Sequence, residues 1–148
     1  MGCRVTRSSP WVIPHSAIFL RRSGMAEPKS TLHPGLFNIG LEEIKRRRGA
    51  PPWGERVVVT DQITGTVICQ APGTPNDRHY HIYDEWWVVL EGEIHWEIEG
   101  QTEPVRAKAG DFVCVPQNTF HHIHVKGDQP AIRLAISVTG EGHRHERP

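Results

Sequence analysis

From Glu55 almost to the C-terminus, no apolar run lasts more than a few residues before Gly, Pro, Asn or Asp interrupts it. The runs are rich in Val, Ile and Trp. Segments this short are strands rather than helices, so the stretch reads as all-β. The predicted strands are Arg56–Thr60, Gly65–Gln70, His79–His81, Glu85–Glu91, Glu93–Glu99, Thr102–Ala107, Asp111–Val115, Thr119–Val125 and Ala131–Val138. So many short strands close as a compact barrel or jelly roll. Alternation along Glu93–Glu99 places Ile94, Trp96 and Ile98 on one face and Glu93, His95 and Glu97 on the other. One short helix is predicted ahead of them, from Phe37 to Arg48. Its acidic residues, Glu42 and Glu43, come early and its basic ones, Lys45 to Arg48, come late, in keeping with the helix dipole, and Gly49 and two prolines stop it.

At 148 residues, with 37% hydrophobic and 23% charged residues, the chain has room for one ordinary globular core. The 17 Lys and Arg balance the 17 Asp and Glu, so no electrostatic attachment to nucleic acid or to an anionic membrane is expected. Small molecules are the expected partners. Cys3, Cys69 and Cys114 are far apart and form no C-x-x-C pair, which implies neither a zinc knuckle nor a disulfide framework. A reducing, cytoplasmic setting is the simplest expectation.

The chain divides into an N-terminal extension, residues 1–30, expected to be disordered; a short helix and linker, 31–54; a barrel, 55–140; and a polar tail, 141–148. Met1 to Gly24 carries Arg4, Arg7, Arg21 and Arg22 without an acid. Pro14, His15 and Ser16 interrupt its apolar stretch, against a secretory signal, and no segment reaches transmembrane length. Met1-Gly2-Cys3 fits the start of a loose myristoylation pattern that chance produces often. Met25 reads as the functional start. The tail histidines, His143 and His145, read as a solvated end.

Ten histidines is a high number, and five of them fall in two short stretches: His79 and His81, then His121, His122 and His124. Two positions apart on a strand, His79 and His81 point to the same face and can share one ion. Glu85 follows after three residues, a spacing that lets a tight turn return its carboxylate to that ion, and His121 supplies a fourth donor. Three imidazoles and one carboxylate suit one divalent transition metal, with Fe favoured and Mn, Ni, Co or Zn as alternatives, rather than calcium or magnesium. Alternation points His122 and His124 outward, toward the surface or a dimer interface.

The spacing Gly73-x5-His79-x-His81-x3-Glu85-x6-Gly92 resembles the first motif of the cupin family at every defined position. Gly110-x5-Pro116-x-Asn118-x2-His121 resembles the second, with Asn118 in place of a glycine and Val125 where the family often has asparagine. Asn tolerates left-handed backbone angles, so the turn at Asn118 is expected to survive. The resemblance runs from about Val57 to Val138. It implies an all-β double-stranded β-helix, a jelly-roll barrel with the ion inside one mouth, and commonly a homodimer. Cupins with this ligand set are dioxygenases in some cases and decarboxylases, lyases or isomerases in others.

Around the site, counting by twos from Glu85 puts Trp87 and Val89 on the ligand face and Trp86 and Val88 opposite. Trp87 and Trp96 are pocket candidates, suited to a planar or apolar substrate. Tyr83 is the candidate acid or base. Arg106 and Arg133 could hold an acidic substrate, but their spacing does not point them to the pocket. The expected activity is that of a metal-dependent dioxygenase on a small aromatic or enolic substrate. The alternatives are a metal-dependent lyase, isomerase or decarboxylase of a carbonyl compound, and a small-molecule-binding protein without turnover. No helix-turn-helix accompanies the barrel to favour a sensor.

Overall fold

The computed structural model describes residues 38–148. The expectations for residues 1–30 and for Phe37 lie outside that range. One helix, α1 (Leu41–Arg48), precedes eight strands: β1 (Trp53–Val59), β2 (Ile63–Gln70), β3 (Glu85–Glu91), β4 (Glu93–Ile98), β5 (Val105–Lys108), β6 (Phe112–Val115), β7 (His121–Lys126) and β8 (Ala131–Val138). β1 begins earlier than expected and β5 later, because residues 102–104, ending in Pro104, lie in a bend. The helix is shorter at its start. Gly40 is extended there and its carbonyl accepts the amides of Glu43 and Ile44. At the other end Gly49 takes a positive φ of 73° and donates its N–H to the Lys45 carbonyl at 2.9 Å.

All strand pairs are antiparallel. A five-stranded sheet, in the order β1-β2-β8-β3-β6, faces a three-stranded sheet, β5-β4-β7. The barrel interior is filled from both by Trp87, Val89, Ile94, Trp96, Val115, Ile123 and neighbours. α1 covers the other face of the larger sheet, where Ile44 packs with Val67, Cys69 and Ile132. Strands β2 and β8 are thus covered on both faces where Val67, Ile68 and Cys69 meet Ile132 and Leu134. Lys45 ties the helix to the end of β3 through Glu91 at 2.8 Å.

His79–His81 is not a strand of its own. His79 exchanges backbone hydrogen bonds with His121, and Tyr80 exchanges them with Arg144. The tail therefore differs from a solvated end: Tyr80 also donates its hydroxyl to the Glu146 carbonyl at 3.0 Å. The segment's two edges are satisfied by β7 on one side and the tail on the other. Its side chains still alternate, with His79 and His81 turned inward and Tyr80 packed on Phe120 at 4.9 Å. No helix among the described residues is long and apolar enough to cross a membrane.

Candidate metal centre

Three elements bring the four expected donors together: the 79–81 bridge segment, the start of β3 at Glu85 and the start of β7 at His121. One ligand atom from each of His79, His81, Glu85 and His121 lies within 4.8 Å of all the others. His79, His81 and His121 are buried, and the Glu85 side chain nearly so. Glu85 Oε2 approaches His81 Nε2 to 3.1 Å and His121 Nε2 to 3.6 Å.

Neither contact has hydrogen-bond geometry, so His81 Nδ1 and Nε2 and His121 Nε2 are buried without partners. Orphaned polar atoms in a dry interior are costly, and several aimed at one point fit a shared cation. The outer nitrogens support this. His79 Nδ1 lies 3.1 Å from the Asp77 carbonyl and His121 Nδ1 3.4 Å from that of Thr119. An Nδ1–H donated to a carbonyl leaves Nε2 with its lone pair free for a metal.

Burial, reinforced by the neighbouring rings of His121 and His143, pushes the His79 pKa down to about 3. Burial likewise lowers that of His121. For His81 burial acts in the same sense, but the Glu85 carboxylate overcomes it and raises the pKa. Two of the three imidazoles are thus held neutral, the protonation state a ligand needs.

Trp87 is buried with its ring 5.3 Å from that of His121, so it walls the site as the alternation predicts. Trp96 is fully buried and stands one step behind, 5.7 Å from Trp87. Tyr83 is 47% exposed in the turn, and no hydrogen bond, ion pair or ring contact of the site involves it. Trp86 is exposed on the opposite face.

One feature escaped the sequence reading, as did the orientation of a second. His143 from the tail stacks on His79, with ring centroids 3.5 Å apart and planes 3° from parallel. Asp77 Oδ2 holds its Nδ1 at 2.7 Å, and the His143 ring lies 5.4 Å from that of His81. The second is Arg133, which alternation on β8 places on the interior face with Ala131 and Ala135. It is 4% exposed, donates from Nη to Gln70 Oε1 and has a buried Nε without a partner. Burial depresses its pKa to about 10, against the opposing charge of Glu85. The sequence named Arg133 as a possible anchor for an acidic substrate, and the alternation along β8 could have pointed it inward. Arg106 is exposed on β5.

A cupin-domain family model matches residues 66–137, which contain both halves of the cluster. The chain carries a cupin domain. The solved structures it resembles include a cupin with a double-stranded β-helix fold from Methanocaldococcus jannaschii, with a TM-score of 0.55 and 24% identity over 62% of this chain and 84% of that one. Another is a putative mannose-6-phosphate isomerase from Ralstonia eutropha, with a TM-score of 0.53 and 26% identity over 60% of this chain and 85% of that one. Among curated proteins the cupin is 28% identical over 107 residues to the polyketide synthase CurC of Streptomyces cyaneus and 26% identical over 110 residues to an acireductone dioxygenase of Bacillus licheniformis. Those matches take in 68% and 72% of this chain but 66% and 60% of the relatives' own lengths.

Proposed function

We propose that this cupin is a metal-dependent oxidoreductase of the dioxygenase type, acting on a small, planar, anionic substrate such as an enolate. The observation that carries the reading is the buried His79, His81, Glu85 and His121 cluster with its orphaned nitrogens. The similarity to a protein named acireductone dioxygenase supports the oxygenase version. A divalent transition ion held by these four side chains supplies Lewis acidity and, when it is iron, an electron source for dioxygen.

The chain's own residues do the rest. Trp87 offers an indole edge to a flat substrate and keeps water from the His121 side. Arg133 is a buried cation with an idle donor, so an anionic oxygen reaching it gains a charge-assisted hydrogen bond in a low-dielectric interior. Glu85 and the nearly buried Glu141 are the carboxylates that act on His81, and a bound dication with Arg133 would draw an anion. His143, held at Nδ1 by Asp77 and stacked on His79, is our candidate to take or give a proton. Tyr83, the sequence's candidate for that role, is the alternative; both side chains are about half exposed.

The test is oxygen consumption by full-length protein loaded anaerobically with Fe(II) and offered a panel of enediols and catechols. Uptake that depends on iron and is lost in His121→Ala and Glu85→Ala supports the reading. A second reading, Lewis-acid isomerisation of a carbonyl compound, draws on the likeness to a putative sugar-phosphate isomerase. Conversion of a sugar phosphate by the zinc-loaded protein, without oxygen uptake by the iron form, would favour it. Homodimerisation and a cytoplasmic setting remain expectations of the sequence.

A further inference from the structure

We propose that Glu97, His122 and His124 form a second divalent-cation site, on the outer face of the three-stranded sheet and independent of the barrel interior. β7 alternates, so the strand that turns His121 and Ile123 inward turns His122 and His124 outward. In the register of β4 against β7, Glu97 lies directly opposite His122, and His124 is two residues further along the same face. The two imidazoles stand with centroids 4.1 Å apart. One ligand atom from each of the three residues lies within 4.8 Å of the others.

The hydrogen bonding decides what this trio can do. His122 Nε2 lies 2.9 Å from the Asn76 carbonyl, an acceptor only, so that nitrogen carries the proton. Its Nδ1 is therefore a bare lone pair, and it lies 3.7 Å from Glu97 Oε2. His124 Nε2 lies 3.2 Å from Glu97 Oε1 without hydrogen-bond geometry and is buried with no partner. Two ring nitrogens thus converge on one carboxylate, and a backbone carbonyl fixes one ring as second-shell acceptors do around metals.

The spacing also fits. Metal–ligand bonds of about 2.0–2.1 Å in a tetrahedron put neighbouring donors about 3.3 Å apart. The two nitrogen–oxygen separations, 3.2 Å to Oε1 and 3.7 Å to Oε2, are near that edge, so a small turn of the carboxylate would bring one oxygen to both nitrogens. Two imidazoles with one carboxylate select a borderline cation, zinc, nickel or copper, over calcium or magnesium. The fourth position faces outward, where a groove of about 360 Å³ runs between the 73–76 loop and β7. Water or a donor from another molecule would complete the shell there.

The experiment is equilibrium dialysis of metal-free, untagged full-length protein against Zn²⁺, with zinc per chain read by plasma mass spectrometry and calorimetric titration alongside. Two ions per chain are expected in the wild type. Glu97→Gln and His124→Gln are each expected to hold one, with the second binding step at least tenfold weaker and the first unchanged. His121→Ala is expected to keep the outer ion, so a failed inner site and a failed outer site give different patterns. Glu97 is largely exposed, so Glu97→Gln preserves the fold if His124→Gln does not. Zinc content that is the same in the wild type, Glu97→Gln and His124→Gln overturns the proposal. So does a wild type whose only ion is lost in His121→Ala.

Discussion

Replacing Gly92 by alanine tests whether the glycine that closes the first motif is needed for its backbone angle or for space. Gly92 sits between β3 and β4 at φ 78°, and its carbonyl accepts the Ala109 amide at 3.2 Å. A Cβ there would lie 2.8 Å from Ala131 Cβ, 3.0 Å from Ala131 Cα and 3.2 Å from the Pro130 carbonyl oxygen. None of these atoms ends a flexible side chain. Ala131 is fully buried and paired to Gln70 across β2 and β8. The left-handed backbone costs about 1–2 kcal/mol for a residue with a Cβ, and overpacking adds about 1–3 kcal/mol. Gly100 is the control, with φ 83° but no atom within 4 Å of an added Cβ. Urea denaturation should show Gly92→Ala losing about 2–5 kcal/mol and Gly100→Ala about 1–2 kcal/mol. Equal losses in the two variants would refute the claim that close approach to β8 sets the residue. Because β3 carries Glu85 and Trp87, the metal-free Gly92 variant should also show weaker quenching of its indole emission by added Co²⁺.

Two further outcomes follow from the site. The metal-free protein should lose stability on acidification below about pH 6.5, the ordinary histidine pKa. His79, with a folded value of about 3, and His121, also lowered, resist protons that the unfolded chain accepts, whereas His81, raised, works the other way. An excess of one to two protons in the unfolded state gives a slope of about 1–3 kcal/mol per pH unit toward acid, measurable by denaturation at pH 5, 6 and 7; a flat profile would count against the buried neutral imidazoles. Trp87→Phe should remove most of the Co²⁺-dependent quenching, since Trp87 is the indole packed on His121, at a stability loss of about 1–3 kcal/mol. Quenching that persists when Trp87→Phe is combined with Glu97→Gln, which lacks the outer site, would place the bound ion elsewhere.

The candidate metal ligands were legible because their spacing is local and their geometry simple. Period two aligns His79 with His81, and the turn before β3 returns Glu85 to them. Only His121 required knowledge of which distant segments pair, and the second motif supplied it. Asn118 shows the same economy: its φ of 59° is left-handed, as the glycine of the motif would be, and asparagine is among the few residues that bear it. The ranges of β3 and β8 were readable too, since Gly92 and Gly140 end apolar runs with little ambiguity.

What stayed hidden depends on contacts made across sequence. The 79–81 segment looks like a strand because its side chains alternate, yet its pairing is two isolated bridges, one to β7 and one to the tail. Nothing in the composition of residues 141–148 marks them as the strip that covers Tyr80, and so nothing there announced that His143 stacks on His79. Arg133 is a related case. Its neighbours Ile132 and Leu134 face α1, so the residue between them must face the barrel, but that inference needs the helix to be placed first. Once it is, a buried guanidinium is seen that has Gln70 as its side-chain hydrogen-bond partner and an Nε with none, which leaves its desolvation only partly offset. Under the proposed function, an anionic substrate would offset the rest of that cost.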